Sequence, residues 1–333
     1  MEFIVFLRSL FCSACSLLLF LGLSWTVQAQ ENKIPRAWED DQFQLVDGDR
    51  VVFLGNTFIE REQRYGYIET RLTLAYPNKK IIFRNLGWSG DNVRGESRAR
   101  FGNTAEGYAH LQKSLELVKP TVVFVSYGSN AAYQGKAGLA EFEAGYNTLL
   151  DSLDKYTTRI VMLSPTPLEK LAAPLPDPAK QNARLAVYRD TIKDMAYKRG
   201  YLFVDLFDQL GENLELHQDK KVNLTDNGLH LTAYGYWEAS FPFAKLAENS
   251  KSVSIASPLS SKQSGAVQKL RKTILEKNEL FFYRYRPQNE TYLYLFRKHE
   301  QGNNAAEIPL FDPLIAAKEL EIDKLKQRAV KQK

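Results

Sequence analysis

Cysteine is almost missing from this chain: of 333 residues only Cys12 and Cys15 are cysteines, and both lie near the start. Once that stretch is removed, disulfides, thiolate metal sites and a cysteine nucleophile are all excluded. Histidine is scarce too, limited to His110, His217, His230 and His299. None is spaced as His-x-x-x-His or set beside carboxylates as a metal site requires, so neither a metal nor an organic cofactor is expected. Charge of one sign is concentrated nowhere. The net charge of +5 is modest and survives loss of the first segment, because Glu2 and Arg8 cancel. A nucleic-acid partner is therefore not expected. No internal repeat is found, and 44% hydrophobic with 25% charged residues is an ordinary globular composition.

What is present begins with a leader. Arg8 precedes an apolar run from Leu10 to Val27, and Val27-Gln28-Ala29 fits a small-residue cleavage site. Residues 1–29 read as a signal peptide, giving a secreted or periplasmic protein without stable membrane insertion after cleavage. The competing reading is an uncleaved N-terminal membrane anchor, since the run is nearly long enough to span. Residues 30–48 follow as a polar arm containing Pro35.

From residue 49 to 248 strands and helices alternate. Strands are predicted at Arg50–Leu54, Lys80–Asn85, Thr121–Ser126, Arg159–Leu163 and Tyr201–Asp205. Helices are predicted at Glu62–Tyr76, Ala105–Lys119, Leu139–Tyr156, Asn182–Arg199 and Thr232–Ala247. Five apolar strands separated by helices imply a parallel sheet covered on both faces, with ligands bound beyond the strands' carboxyl ends. Residues 249–333 change character. A Ser-rich linker (Ser252–Gly265) leads to a helix over Ala266–Tyr285, an aromatic- and arginine-dense stretch (Glu279–Arg297), and a charged helix over Pro309–Gln327. The dense stretch reads as a clamp packing on the main domain, or alternatively as a sugar-stacking surface or a lid over Thr57. Asn289-Glu290-Thr291 matches a glycosylation acceptor, relevant only in a eukaryotic secretory pathway.

Four short segments fall at the same rim of such a sheet: Gly55-Asn56-Thr57, Asn85 to Asp91, Tyr127-Gly128-Ser129-Asn130, and Asn227-Gly228-Leu229-His230. Singly, each is a turn. In this order they resemble the blocks of the SGNH/GDSL hydrolases (Gly-Asp-Ser, a glycine after the second strand, Gly-x-Asn-Asp, and Asp-x-x-His before the last helix). The resemblance covers about Asp47 to Phe243. It implies a flavodoxin-like three-layer α/β/α fold and an esterase acting on acyl groups, often on carbohydrates or lipids. By the same resemblance Thr57 takes the nucleophile position and His230 the base. The oxyanion donors are the backbone N–H groups of Thr57 and Gly90 and the side chain of Asn130, a set that can stabilise a tetrahedral oxyanion.

Two positions depart from the family pattern. The nucleophile is Thr rather than Ser, and its extra methyl restricts χ1 and crowds the attacking oxygen. The residue three before His230 is Asn227 rather than Asp. An amide there is expected to accept from the imidazole N–H without offsetting its charge, and Asp226 is the alternative carboxylate. Asn56 and Ala131 stand where the family has Asp. Asn56, Glu60, Trp88 and Ser89 are candidate substrate contacts, and Glu60 also complements the start of a helix. Asp91, Arg94 and Glu96 read as a structural ion-pair cluster, and Ser129 is a spare hydroxyl near the pocket.

Two functions compete, beside a third, a periplasmic scaffold whose aromatic arm Glu279–Arg297 contacts a partner. One is an exported hydrolase cleaving a small-molecule or polysaccharide acyl ester, such as an O-acetyl group. The other is a catalytically silent carbohydrate- or envelope-binding protein of the same fold.

Overall fold

Val51, Val52, Phe53 and Leu54 are all buried, as a strand must be when both faces of its sheet are covered. The computed structural model describes residues 42–217, 222–247, 254–261, 265–288, 290–293 and 304–331. Its strands are β1 (Arg50–Gly55), β2 (Ile82–Gly87), β3 (Val122–Ser126), β4 (Ile160–Leu163) and β5 (Leu202–Val204). All pair in parallel in the order β2-β1-β3-β4-β5. The chain crosses from one side of β1 to the other between β2 and β3. The carboxyl ends of β1 and β3 therefore frame the crevice where such sheets bind ligands.

The helices are α1 (Thr57–Glu62), α2 (Tyr67–Ala75), α3 (Thr104–Val118), α4 (Leu139–Leu153), α5 (Ala179–Arg199), α6 (Leu206–His217), α7 (Ala233–Ala239), α8 (Phe241–Leu246), α9 (Gly265–Tyr285), α10 (Glu290–Leu293) and α11 (Phe311–Lys331). Strand side chains alternate between two cores. Val52, Leu54, Val123 and Val125 meet α3, α4 and α5 through Leu111, Leu149 and Ile192. Val51, Phe53, Val122 and Phe124 meet α2 and α8 through Ile68, Leu72 and Phe243. This is the flavodoxin-like three-layer α/β/α fold with a helical C-terminal extension.

The sequence predicts one helix over Glu62–Tyr76, and the chain instead makes two. Asn56 caps α1 by accepting from the Phe58 N–H at 3.3 Å, so the helix starts immediately after β1. Gly66, at φ +64°, then breaks the path before α2. The Thr232–Ala247 helix likewise divides at Ser240 into α7 and α8.

β2 is an edge strand, and an open edge leaves carbonyls without partners. α9 lies along it. Lys277 Nζ donates to the Phe83 carbonyl at 3.0 Å, and the Tyr285 hydroxyl donates to the Gly87 carbonyl at 2.7 Å. Fully buried Lys277 also pairs with Glu69 at 2.7 Å, and Asn278 donates to the other oxygen of Glu69 at 3.0 Å. The C-terminal helices thus belong to the same compact unit as the sheet. Of the aromatic stretch, Phe281 and Tyr285 are buried against the main domain. Tyr294, Phe296, Arg297, His299, Asn289 of the glycosylation match, and the leader all lie outside the described residues, as does the side chain of His217. Among the described residues no helix is long and apolar enough to cross a membrane.

Candidate active site

β1 ends in Gly55, and the turn into α1 sets Thr57 in the first helical turn, half-buried. Beside it β2 ends at Gly87. A Cβ there would stand 2.2 Å from the Glu60 backbone nitrogen, so only glycine lets α1 approach this closely. Trp88 to Asp91 then form a turn closed by the Asp91 N–H on the Trp88 carbonyl at 3.0 Å, with Gly90 at φ +76°. That conformation aims the Gly90 N–H at Thr57 Oγ1, 3.3 Å away.

Asn130 follows β3 and donates through Nδ2 to the Gly90 carbonyl at 3.0 Å. Asn130, Thr57, Arg61, Thr166, Tyr236 and His230 line one small cavity, which Ser129 also borders. All four sequence-predicted segments therefore converge on one place. Asn130 also borders a second cavity with Arg94, Gln134 and Glu141, and Leu229 borders a third with Tyr133 and Arg184.

The histidine loop is tied down from behind. Glu169 accepts from the Leu224 N–H at 3.0 Å and from the Thr225 N–H at 2.7 Å, and its own N–H donates to the Gly228 carbonyl at 2.9 Å. The sequence offered no sign of this role, because Glu169 sits in a proline-rich loop after β4. His230 is held below its ordinary pKa, chiefly by burial and then by Arg61, with Asp226 opposing. Asp226 itself pairs with Arg61 at 3.0 Å.

The neighbour of the imidazole is Asn227, and its orientation corrects one expectation. Asn227 Oδ1 accepts from the Leu229 N–H at 3.1 Å and the His230 N–H at 2.8 Å. These two fixed donors hold the oxygen, so the amide nitrogen faces His230 Nδ1 at 3.2 Å. The amide therefore donates to Nδ1 instead of accepting from it. A neutral imidazole in this setting carries its proton on Nε2.

The candidate substrate contacts are mostly engaged with the protein. Asn56 is buried as the α1 cap. Glu60 accepts from the Ser89 N–H at 2.8 Å and the Ser89 hydroxyl at 2.9 Å, and Arg286 from beyond α9 donates to the same carboxylate at 2.7 Å. The Arg286 guanidinium lies 3.7 Å over the Trp88 ring. The predicted Asp91 cluster is built differently. Asp91 pairs with buried Arg98 at 2.6 Å and accepts from the Tyr127 hydroxyl at 3.0 Å, whereas Arg94 pairs with Glu96 and Glu141. Among the described residues no group of three or more His, Cys, Asp or Glu side chains is gathered to hold a metal.

Residues 53–238 match the sequence profile of the GDSL-like lipase/acylhydrolase family. No curated protein matches the chain in sequence. Among solved structures the chain is similar to a gut microbial diltiazem-metabolizing enzyme, at 15% identity and TM-score 0.57, over 87% of this chain and 97% of that one. It is also similar to Axe2, an acetylxylan esterase from Geobacillus stearothermophilus, at 19% identity and TM-score 0.47, over 62% of this chain and 96% of the esterase. At 15% identity the likeness to the diltiazem-metabolizing enzyme is one of fold alone.

Proposed function

Because this chain belongs to the GDSL-like lipase/acylhydrolase family, we propose that it hydrolyses carboxylic esters with Thr57 as nucleophile and His230 as base. The observation carrying this reading is that Thr57 and His230 line one cavity while the Gly90 N–H lies 3.3 Å from Thr57 Oγ1. Thr57 attacks the ester carbonyl as His230 Nε2 takes its proton, and that nitrogen gives it to the leaving alcohol, leaving acyl-Thr57. A water deprotonated by the same nitrogen then attacks the acyl group, releasing the acid as the proton returns to Thr57 Oγ1. The backbone N–H groups of Thr57 and Gly90 and the amide of Asn130 receive the oxyanion. The lowered pKa of His230 suits a base that must be neutral at pH 7.

The substrate class we infer is an acyl ester on a carbohydrate met outside the cytoplasm. Support comes from the leader expected from the sequence and from Tyr133, 58% exposed in the separate cavity that shares Leu229 with the site, where a sugar face can stack. One observation favours the second reading, a silent binding protein. Asn227 stabilises the Nε2–H imidazole, and the base needs Nε2 bare.

Hydrolysis of p-nitrophenyl acetate and acetylated xylan by the parent, Thr57→Ala and His230→Ala tests the choice. Slow turnover by the parent, abolished in both variants, is the expected result. Turnover that persists in Thr57→Ala moves the nucleophile to another hydroxyl such as Ser129. Retention of the polysaccharide without any hydrolysis selects the binding protein.

A further inference from the structure

Two of the residues that hold the Gly90 turn, Tyr285 and Arg286, come from the far end of the chain. Asn130 Nδ2 holds the carbonyl of Gly90 itself at 3.0 Å, and three further grips act on the residues before it. The Tyr285 hydroxyl holds the carbonyl of Gly87, the guanidinium of Arg286 covers Trp88, and Glu60 holds both the N–H and the hydroxyl of Ser89. Glu60 is in turn fixed by Arg286 Nη1 at 2.7 Å, with the pair largely buried. A carboxylate bound to two donors of one residue and one guanidinium has little freedom to rotate. The next peptide after Ser89 carries the Gly90 N–H, so its direction follows from how Ser89 is seated.

We propose that Arg286, with Tyr285, is a positioning residue for the oxyanion donor Gly90, which makes the C-terminal helix α9 a working part of the esterase site. The inference rests on the esterase reading for its catalytic consequence and on geometry alone for the clamp. Arg286 lies outside the pocket and touches no reacting atom. Its influence passes through Glu60 and Ser89 to the angle of one amide. A misaimed donor weakens the transition state more than the ground state, so the loss should fall on kcat.

The test compares the parent with Arg286→Ala, Arg286→Lys and Tyr285→Phe, using two readouts. The first is steady-state hydrolysis of p-nitrophenyl acetate. Arg286→Ala should lower kcat about 10- to 100-fold with KM unchanged, short of the 10²–10³ lost when a donor is removed outright. Arg286→Lys should fall between the two, because lysine keeps the ion pair and loses the planar stacking. The second readout is amide hydrogen exchange, which needs no activity. Residues 86–95 should exchange faster in Arg286→Ala while β3 and β4 keep their protection. Unchanged exchange in 86–95, or faster exchange there with kcat intact, overturns the proposal. Loosening of β3 and β4 alongside 86–95, in the lysine variant as well, overturns it in favour of a general packing role. A parent inert toward every ester defeats the esterase reading, and the exchange data still judge the clamp.

Discussion

At position 227 an amide nitrogen stands where a carboxylate would carry a second oxygen. With Oδ1 held by two backbone N–H groups, the remaining atom alone decides whether His230 Nδ1 meets an acceptor or a donor. Making the Nδ1–H tautomer against a facing NH2 forfeits this solvent-exposed hydrogen bond and opposes two donors, a cost of about 1 kcal/mol. The charge around the ring acts separately. Arg61 lowers the His230 pKa and Asp226 opposes it, with burial the largest influence. The acid limb of kcat/KM should therefore lie below the ordinary imidazole value of about 6.5. Asp226→Asn removes the opposing charge and leaves Arg61 unpaired, so the limb should move lower still, whereas Arg61→Gln should move it up. pH–rate profiles on p-nitrophenyl acetate check both directions, and limbs that stay fixed would speak against His230 as the base.

At the scale of elements, the sheet was legible because buried parallel strands write themselves as short apolar runs, and Val51–Leu54 and Val122–Ser126 are such runs. All five strands lie within two residues of their predicted starts. The break between α1 and α2 was less visible, since Tyr65, Ile68 and Leu72 keep helical spacing across Gly66. The four site segments could be read from glycine and small polar residues after strands. Their supports could not: Glu169 and Arg286 meet the site only through tertiary contacts, and no local pattern marks such partners. The role of α9 shows the same limit. Its buried Lys277 serves Glu69 on α2 and the open carbonyl of β2 together. Lys277→Met should cost about 3 kcal/mol in urea unfolding, because it strands a buried carboxylate. Burial already raises the Glu69 pKa against the pull of Lys277, so without the lysine this residue takes up a proton more readily. The penalty should shrink as pH falls. A loss equal at pH 5 and pH 8 would contradict the ion-pair explanation.

Across the whole molecule, the topology gathers the segments of the proposed site. The switch between β2 and β3 brings the ends of β1, β2 and β3 to one crevice, and the loop before α7 delivers His230 from the other side. Separate parts of the chain then fix each group: Glu169 the histidine loop, Asp91 with Arg98 the floor behind the turn, and α9 its roof. On the proposed mechanism, the hydrogen bond from Asn227 to Nδ1 is the main obstacle to proton transfer. The most direct measurement is kcat/KM for p-nitrophenyl acetate in the parent and in Asn227→Asp. The carboxylate keeps one oxygen on the Leu229 and His230 N–H groups and offers the other to Nδ1–H. Turnover should rise at least about 100-fold, set against the roughly 10⁴-fold that the converse change costs a serine protease. A rate that stays level or falls, in a protein that remains folded, would contradict acyl transfer through Thr57 and His230.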